Sequence, residues 1–185
     1  MGFITALDTE ILWILHNALQ SHLLDRIMMA ITSLGNAGIL WIVLAVVLLC
    51  HPRTRRIGMV MALSLLLCFF IGNLCIKPLI ARPRPYLTDP SILVLIDPGD
   101  PYSFPSGHAM SSFAAAVPLT LYRRKWGGWA LLVATLIAFS RLYLMVHYPT
   151  DVLAGMLIGS LVGILVYWGV EHVIRSPNAP RCIRK

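Results

Sequence analysis

Three uninterrupted apolar runs, Ile57–Ile76, Gly127–Met145 and Val152–Val173, constrain this chain more than any other feature. Each is close to the ~20 residues that a helix needs to cross the hydrocarbon of a bilayer. Two shorter runs, Ala37–Cys50 and His108–Tyr122, reach that length if their helices begin a few residues earlier. Charged residues make up only 12% of the chain, against about a quarter in ordinary soluble domains. The expected fold is an all-α integral membrane protein, a helical bundle of five core transmembrane helices. No linker divides it, so 1–185 reads as a single membrane-embedded domain with its core over 57–173.

The first twenty residues, MGFITALDTEILWILHNALQ, lack the basic stretch of a signal peptide. Ile4, Leu7, Ile11, Leu12, Ile14, Leu15 and Leu19 recur at helical spacing beside Asp8, Glu10, Asn17 and Gln20. Within an N-terminal region 1–34, this is an amphipathic helix lying at the interface, with a sixth, tilted span over 9–34 as the alternative. None of the four cysteines forms a CxxC pair. Cys68 and Cys75, seven apart on one helix, are separated by about 10 Å of rise, so all four are expected unbridged.

Ten of the fifteen lysines and arginines fall into three clusters: Arg53, Arg55 and Arg56; Arg123, Arg124 and Lys125; Arg175, Arg181, Arg184 and Lys185. Five spans put all three clusters on one side, which the positive-inside rule makes cytoplasmic; residues 175–185 are then a basic cytoplasmic tail. The net charge of +7 is thus a topology signal, and no nucleic-acid partner is expected. Lys77, Arg82, Arg84 and Arg141 fall at or near the opposite face, against that signal. A charge at membrane depth usually faces a partner or a cavity. Ion pairing with Asp89, Asp97, Asp100 and Asp151 accounts for these cations as readily as an anionic ligand does.

Three motifs converge on that face. In KPLIARPRP, Lys77–Pro85, three prolines stiffen the backbone that presents Lys77 and Arg84, and arginine suits phosphate through paired hydrogen bonds. In PSGH, Pro105 is placed in a first helical turn, Ser106 offers a hydroxyl, and Gly107 lets a ligand approach the backbone. A helix start of this kind is an anion site or a plain cap. In SRLYLMVHYPTD, Arg141 precedes His147 by six and Asp151 follows it by four. Across the turn at Pro149, Asp151 either fixes the His147 tautomer or simply favours the helix start. Together they supply cations, an anion seat, two histidines and a carboxylate, which is what phosphoryl transfer requires.

Lys77-x6-Arg84-Pro85, Pro105-Ser106-Gly107-His108 and Ser140-Arg141-x5-His147-x3-Asp151 resemble the three signatures of the type-2 phosphatidic-acid phosphatase family, which shares its site with vanadium haloperoxidases. The resemblance covers roughly Ile57 to Val173, with Ala109 where a threonine often follows the histidine. It implies a metal-independent hydrolase without a cofactor. His147 would be the nucleophile that forms a phosphohistidine, Asp151 its orienting acid, and His108 the acid and then the base. Lys77, Arg84, Ser106, Gly107 and Arg141 would hold the phosphate. Arg82 is not a signature position and is read as an ion-pairing or membrane-surface charge.

A compact chain of this type implies a membrane lipid phosphate as substrate, first of all undecaprenyl diphosphate. Phosphatidylglycerophosphate, phosphatidic acid and lipid A phosphate are the alternatives. The localisation implied is the cell membrane, with the site on the extracytoplasmic face. The loop Tyr86–Phe104, with its apolar ILVLI, is either an interfacial guide for the lipid or a packed lid. Of the rival classes, a haloperoxidase sits badly with five apolar spans, and a non-catalytic lipid-binding or transport protein sits badly with complete motifs.

Overall fold

The structure, a computed structural model, describes residues 2–176. Among these, the regular elements are helices only, the long ones being α1 (Phe3–Leu19), α2 (His22–Leu34), α3 (Ile39–Cys50), α4 (Arg55–Ile80), α5 (Gly107–Tyr122), α6 (Arg124–Tyr143) and α7 (Pro149–Arg175), with short turns of helix at Asn36–Gly38 and Pro85–Thr88. Helices α4, α6 and α7 are each long and apolar enough to cross a membrane alone. α2 and α3 reach that length only as a pair bent by 41°. The break between them contains Ala37 and Gly38, both at positive φ (50° and 67°), and it keeps α3 from starting earlier. α5 likewise starts no earlier than Gly107; at 16 residues it spans about 24 Å, short of a ~30 Å hydrocarbon core. The two shorter apolar runs therefore do not lengthen at their N-termini as the sequence suggests.

α5 is the buried centre of the bundle. Ala109, Ala114, Ala115 and Ala116 are fully buried on it, and α6 and α7 flank it. Gly155, Gly159 and Gly163 form a ridge along α7. A Cβ at Gly155 would stand 2.6 Å from the Ser106 carbonyl oxygen, and one at Gly159 would stand 2.2 Å from that of Met110. Spaced small residues let two backbones approach closely where apolar surroundings give no hydrophobic drive to associate. The contacts advance in step along both chains, so α5 and α7 run parallel and their N-termini meet.

α4 lies antiparallel to α5, with Gly72 against Met110. Its Phe69–Ile76 segment is π-helical, a widening common at functional sites. Arg55 begins α4 and Lys77 lies near its end. Arg123 joins α5 to α6, which begins with Arg124 and Lys125, and Arg175 ends α7. Arg55, Arg123, Arg124, Lys125 and Arg175 gather at the end of the bundle opposite Lys77, His108, Arg141 and Asp151. Arg181, Arg184, Lys185 and Cys182 lie outside the described residues; Cys50, Cys68 and Cys75 are free.

Of the two forms expected for the N-terminal region, the tilted span over 9–34 is not formed. The chain breaks between α1 and α2 at Gln20 and Ser21, so 9–34 is not one continuous helix. α1 turns Asp8 and Leu12 inward against α6 and α7, while Phe3, Ile4, Ile11 and Ile14 face out. The physical reason is local: the Asp8 carboxylate finds Arg82 and Thr150 as partners there, while Glu10, Asn17 and Gln20 stay exposed.

Candidate active site

The second and third motifs are bolted together at the paired N-termini of α5 and α7. The Ser106 N–H donates to the Asp151 carbonyl oxygen at 3.0 Å, a contact made possible by Gly155 beneath it. Ser106 is the residue before α5 and Pro105 precedes it, so Pro105 shapes the approach rather than the first helical turn. The Ser106 hydroxyl is buried and makes no hydrogen bond to cap the helix.

His147 lies on the short connection between α6 and α7. Met145, at φ 52°, turns the chain there through the left-handed region, which is uncommon for a side chain of this size. The ring is buried (1% exposed). Burial, with the Arg84, Arg141 and Lys77 cations, pushes its pKa well below the ordinary imidazole value, so the ring is neutral. Arg84 Nη1 lies 3.1 Å from His147 Nε2. A guanidinium only donates, so Nε2 carries the lone pair and the ring proton sits on Nδ1.

Asp151 stands close behind. Its Oδ2 accepts the Tyr148 N–H at 2.8 Å and lies 3.7 Å from His147 Nδ1, beyond direct hydrogen-bond distance. Its Oδ1 is held by Arg82 Nη1 at 2.7 Å. Both readings of Asp151 thus have a physical counterpart. It caps the start of α7, and it faces the protonated nitrogen of His147.

Lys77, Arg84 and Arg141 converge as the spacing suggests. All three are largely buried, at 8%, 1% and 2% exposed, and they line one cavity of about 560 Å³ with His108 and His147. Arg84 is the most constrained: Nε donates to the Asp100 carbonyl oxygen at 2.7 Å and Nη1 to that of Val146 at 2.9 Å. Arg141 donates to the Thr32 hydroxyl at 2.7 Å, while its Nε has no partner. His108 Nε2 is 3.1 Å from Asn36 Oδ1, so the break between α2 and α3 delivers a side chain to the second histidine. Gly107 also lines the cavity; Ser106 and Asp151 do not.

Asp100 is one of the four acids that the sequence offers as ion-pair partners for these cations, whereas Asn36, Asn73 and Thr32 carry no signal there. Asp100, from the Tyr86–Phe104 loop, places its carboxylate between two of the cations, 2.8 Å from Lys77 Nζ and 3.1 Å from Arg84 Nη2. Burial pushes the Asp100 carboxyl up, but Lys77 and Arg84 outweigh it and hold it below the usual range. Asn36 lies in the α2–α3 break, and Asn73 and Thr32 belong to helices whose own patterning explains them without a site. The loop itself is mixed: Ile92 is buried and Leu93 is 82% exposed.

From the polar group the cavity continues between α3 and α4, where Ile42, Val46, Leu65, Leu66 and Phe69 line it. Among the described residues no group of three His, Cys, Asp or Glu side chains is placed to hold a metal ion.

A family model described as "PAP2 superfamily" matches residues 54–175. The chain is 37% identical over 145 residues to an undecaprenyl-diphosphatase of Sulfolobus acidocaldarius, a match covering 77% of this chain and 68% of that one. It is 33% identical over 188 residues to a lipid A 4'-phosphatase of Bacteroides thetaiotaomicron, covering 94% and 81%. A transmembrane PAP2-type phosphatidylglycerolphosphate phosphatase from Bacillus subtilis has the same fold, with a TM-score of 0.77 at 25% identity over 95% of this chain and 90% of that one.

Proposed function

The chain belongs to the PAP2 superfamily and is a multi-pass membrane lipid phosphatase, and from that premise we propose that it cleaves its substrate through a phosphohistidine on His147. The observation that carries this reading is the state of His147. The imidazole is buried and neutral, Nε2 bears the lone pair towards the cationic cavity, and the Nδ1 proton faces Asp151. Attack by Nε2 on phosphorus forms an N–P bond as the bond to the leaving oxygen breaks. Arg84 transfers its N–H from Nε2 to a phosphate oxygen in the same motion. The ring then carries a positive charge, which Asp151 offsets. His108 gives its proton to the leaving oxygen and next takes one from the water that hydrolyses the N–P bond.

Phosphoryl transfer asks chiefly for positioning and charge stabilisation. Lys77, Arg84 and Arg141 supply three fixed cations, and the Gly107 N–H and Arg141 Nε face the same cavity to bind oxygen, with the unpaired Ser106 hydroxyl buried next to Gly107 in the chain. The phosphate would displace the Asp100 carboxylate from Lys77 and Arg84. These groups suffice without a metal, so activity should survive EDTA; loss restored only by a divalent ion would argue for different chemistry.

The apolar continuation between α3 and α4 supports a substrate whose tails stay in lipid while its phosphate reaches the cations. Segregation of Arg53, Arg55, Arg123, Arg124, Lys125 and Arg175 to the far end supports placing the site on the extracytoplasmic face of the cell membrane. Among lipids, undecaprenyl diphosphate is the first choice. Its relative from Sulfolobus carries that activity in its name; other relatives are named for lipid A and phosphatidylglycerolphosphate. Phosphate release by the purified protein across these lipids decides it, and a kcat/KM for undecaprenyl diphosphate below that for the others overturns the choice. Acid-labile radiolabel retained on the enzyme from substrate, and absent in His147→Ala, tests the intermediate.

A further inference from the structure

Asp8 belongs to α1, outside the family-matched span of 54–175, yet its carboxylate is buried at 2% exposed. Every contact it makes leads to the active site. Oδ1 accepts the Thr150 N–H at 3.1 Å, and Oδ2 accepts both the Thr150 hydroxyl and Arg82 Nη2, the latter at 2.7 Å. Arg82 reaches back with Nη1 to Thr150 Oγ1 at 2.8 Å and to Asp151 Oδ1 at 2.7 Å. Its guanidinium carbon stands 4.0 Å from the centre of the Tyr148 ring, so the plane of the fork is fixed as well as its ends. The chain of contacts is Asp8, Arg82, Asp151, His147.

Docking α1 does not need this arrangement. Apolar side chains of similar volume pack a helix as well as a buried ion pair does, and often better. What the carboxylate changes is the charge beside His147. Arg82 paired with Asp151 alone would cancel the negative charge that the phosphorylated ring requires. With Asp8 sharing the guanidinium, two carboxylates face one cation and one negative charge remains for His147. With Nη2 held by Asp8, Nη1 of the same guanidinium fixes Asp151 Oδ1, leaving Oδ2 turned to Nδ1.

We propose that Asp8 and Arg82 are positioning residues for the phosphatase reaction, acting on His147 through Asp151, so that α1 is part of the catalytic unit. This rests on His147 being the nucleophile. Neither residue lines the cavity, so neither touches substrate, and their loss should appear in turnover and leave substrate binding unchanged.

The test is a mutant cycle on the full-length protein in detergent, with lipid phosphate hydrolysis as readout. Asp8→Asn keeps the shape and should lower kcat about 10- to 100-fold, the cost of a slightly misplaced reacting group, with KM within about twofold. In an Asp151→Asn background the same change should cost nothing further, because residues that act through one another are non-additive. Arg82→Lys should show the same kcat-only loss and the same non-additivity, and it serves if Asp8→Asn folds poorly. Wild-type kcat in either variant, a loss confined to KM, or a full additional loss in the Asp151→Asn background would each overturn the proposal. His147→Ala separates the two claims. If that variant still turns over, the nucleophile assignment falls; if it is dead while Asp8→Asn and Arg82→Lys are normal, only the present inference falls.

Discussion

The two ends of the bundle use the same basic residues in opposite ways. At one end Arg53, Arg55, Arg123, Arg124 and Lys125 are exposed, and Arg175 makes only a long 3.4 Å contact with Glu171. At the other, Lys77, Arg84 and Arg141 are buried around a cavity and Arg82 is gripped by two carboxylates. Exposed charge costs little and sets orientation. Buried charge is expensive and persists only where hydrogen bonds and a ligand's charge compensate it. The number of cations at an end therefore says little about function; their desolvation says much.

The comparison breaks most visibly at the site end. His147→Ala removes the nucleophile and should lower kcat by at least about 10⁴-fold, the scale seen when members of a catalytic group are deleted. Retention of more than a few per cent of turnover would remove His147 from the mechanism. Arg84→Lys comes next. It preserves the charge but loses the fork that serves Val146, His147 and Asp100 at once, and should cost about 10²- to 10³-fold in kcat/KM, as for removal of one transition-state donor. Near-normal activity in that variant would mean that charge alone, without geometry, does the work.

Much of the site end was legible because motif residues carry chemistry at fixed spacing. Lys77, Arg84, His108, Arg141 and His147 are each read from their neighbours, and the structure gathers all five on one cavity. Three long apolar helices were legible for a similar reason, since run length is a direct reading of bilayer thickness. Asp100 was legible as one of four acids that could pair with the cations; Asn36 and Asp8 were not, because each reaches the site from a distant segment whose local pattern has its own explanation. Asp8 was legible only as one of the polar residues of an amphipathic helix. Amphipathicity divides a helix into two sides but does not say which side meets lipid and which meets protein. The π-helical turn before Lys77 leaves no mark that propensity can detect.

Asp100→Asn sharpens the contrast from within the site. The carboxylate competes with phosphate for Lys77 and Arg84, so its neutralisation should lower KM. The side chain is 40% exposed, so screening limits the gain to about two- to fivefold, the worth of a partly solvated ion pair. The carboxyl sits below its usual value, which fixes the pH window. The pairing is fully present above the ordinary ~4 of an aspartate and is lost only as pH falls through the lower folded value. The KM advantage of the variant should therefore be flat across neutral and mildly acidic buffers. A KM that rises, or an advantage that vanishes near neutrality, would show that Asp100 orders the loop for binding and does not compete with phosphate.

The smallest effect belongs to the opposite end. Arg124→Gln removes a full charge, as a change at Arg84 to glutamine would, but from an exposed side chain at the start of α6. Exposed substitutions away from caps and networks usually fall within about 0.5 kcal/mol, so kcat/KM and thermal stability should change less than about twofold and by a degree or two. Arg123 and Lys125 remain beside it, and the orientation signal counts positive charges over a whole loop, so insertion should be unaffected. Side-by-side kinetics of Arg124→Gln and Arg84→Gln in one detergent test the difference directly. Equal losses would mean that the protein responds to net charge, and burial would no longer distinguish its two ends.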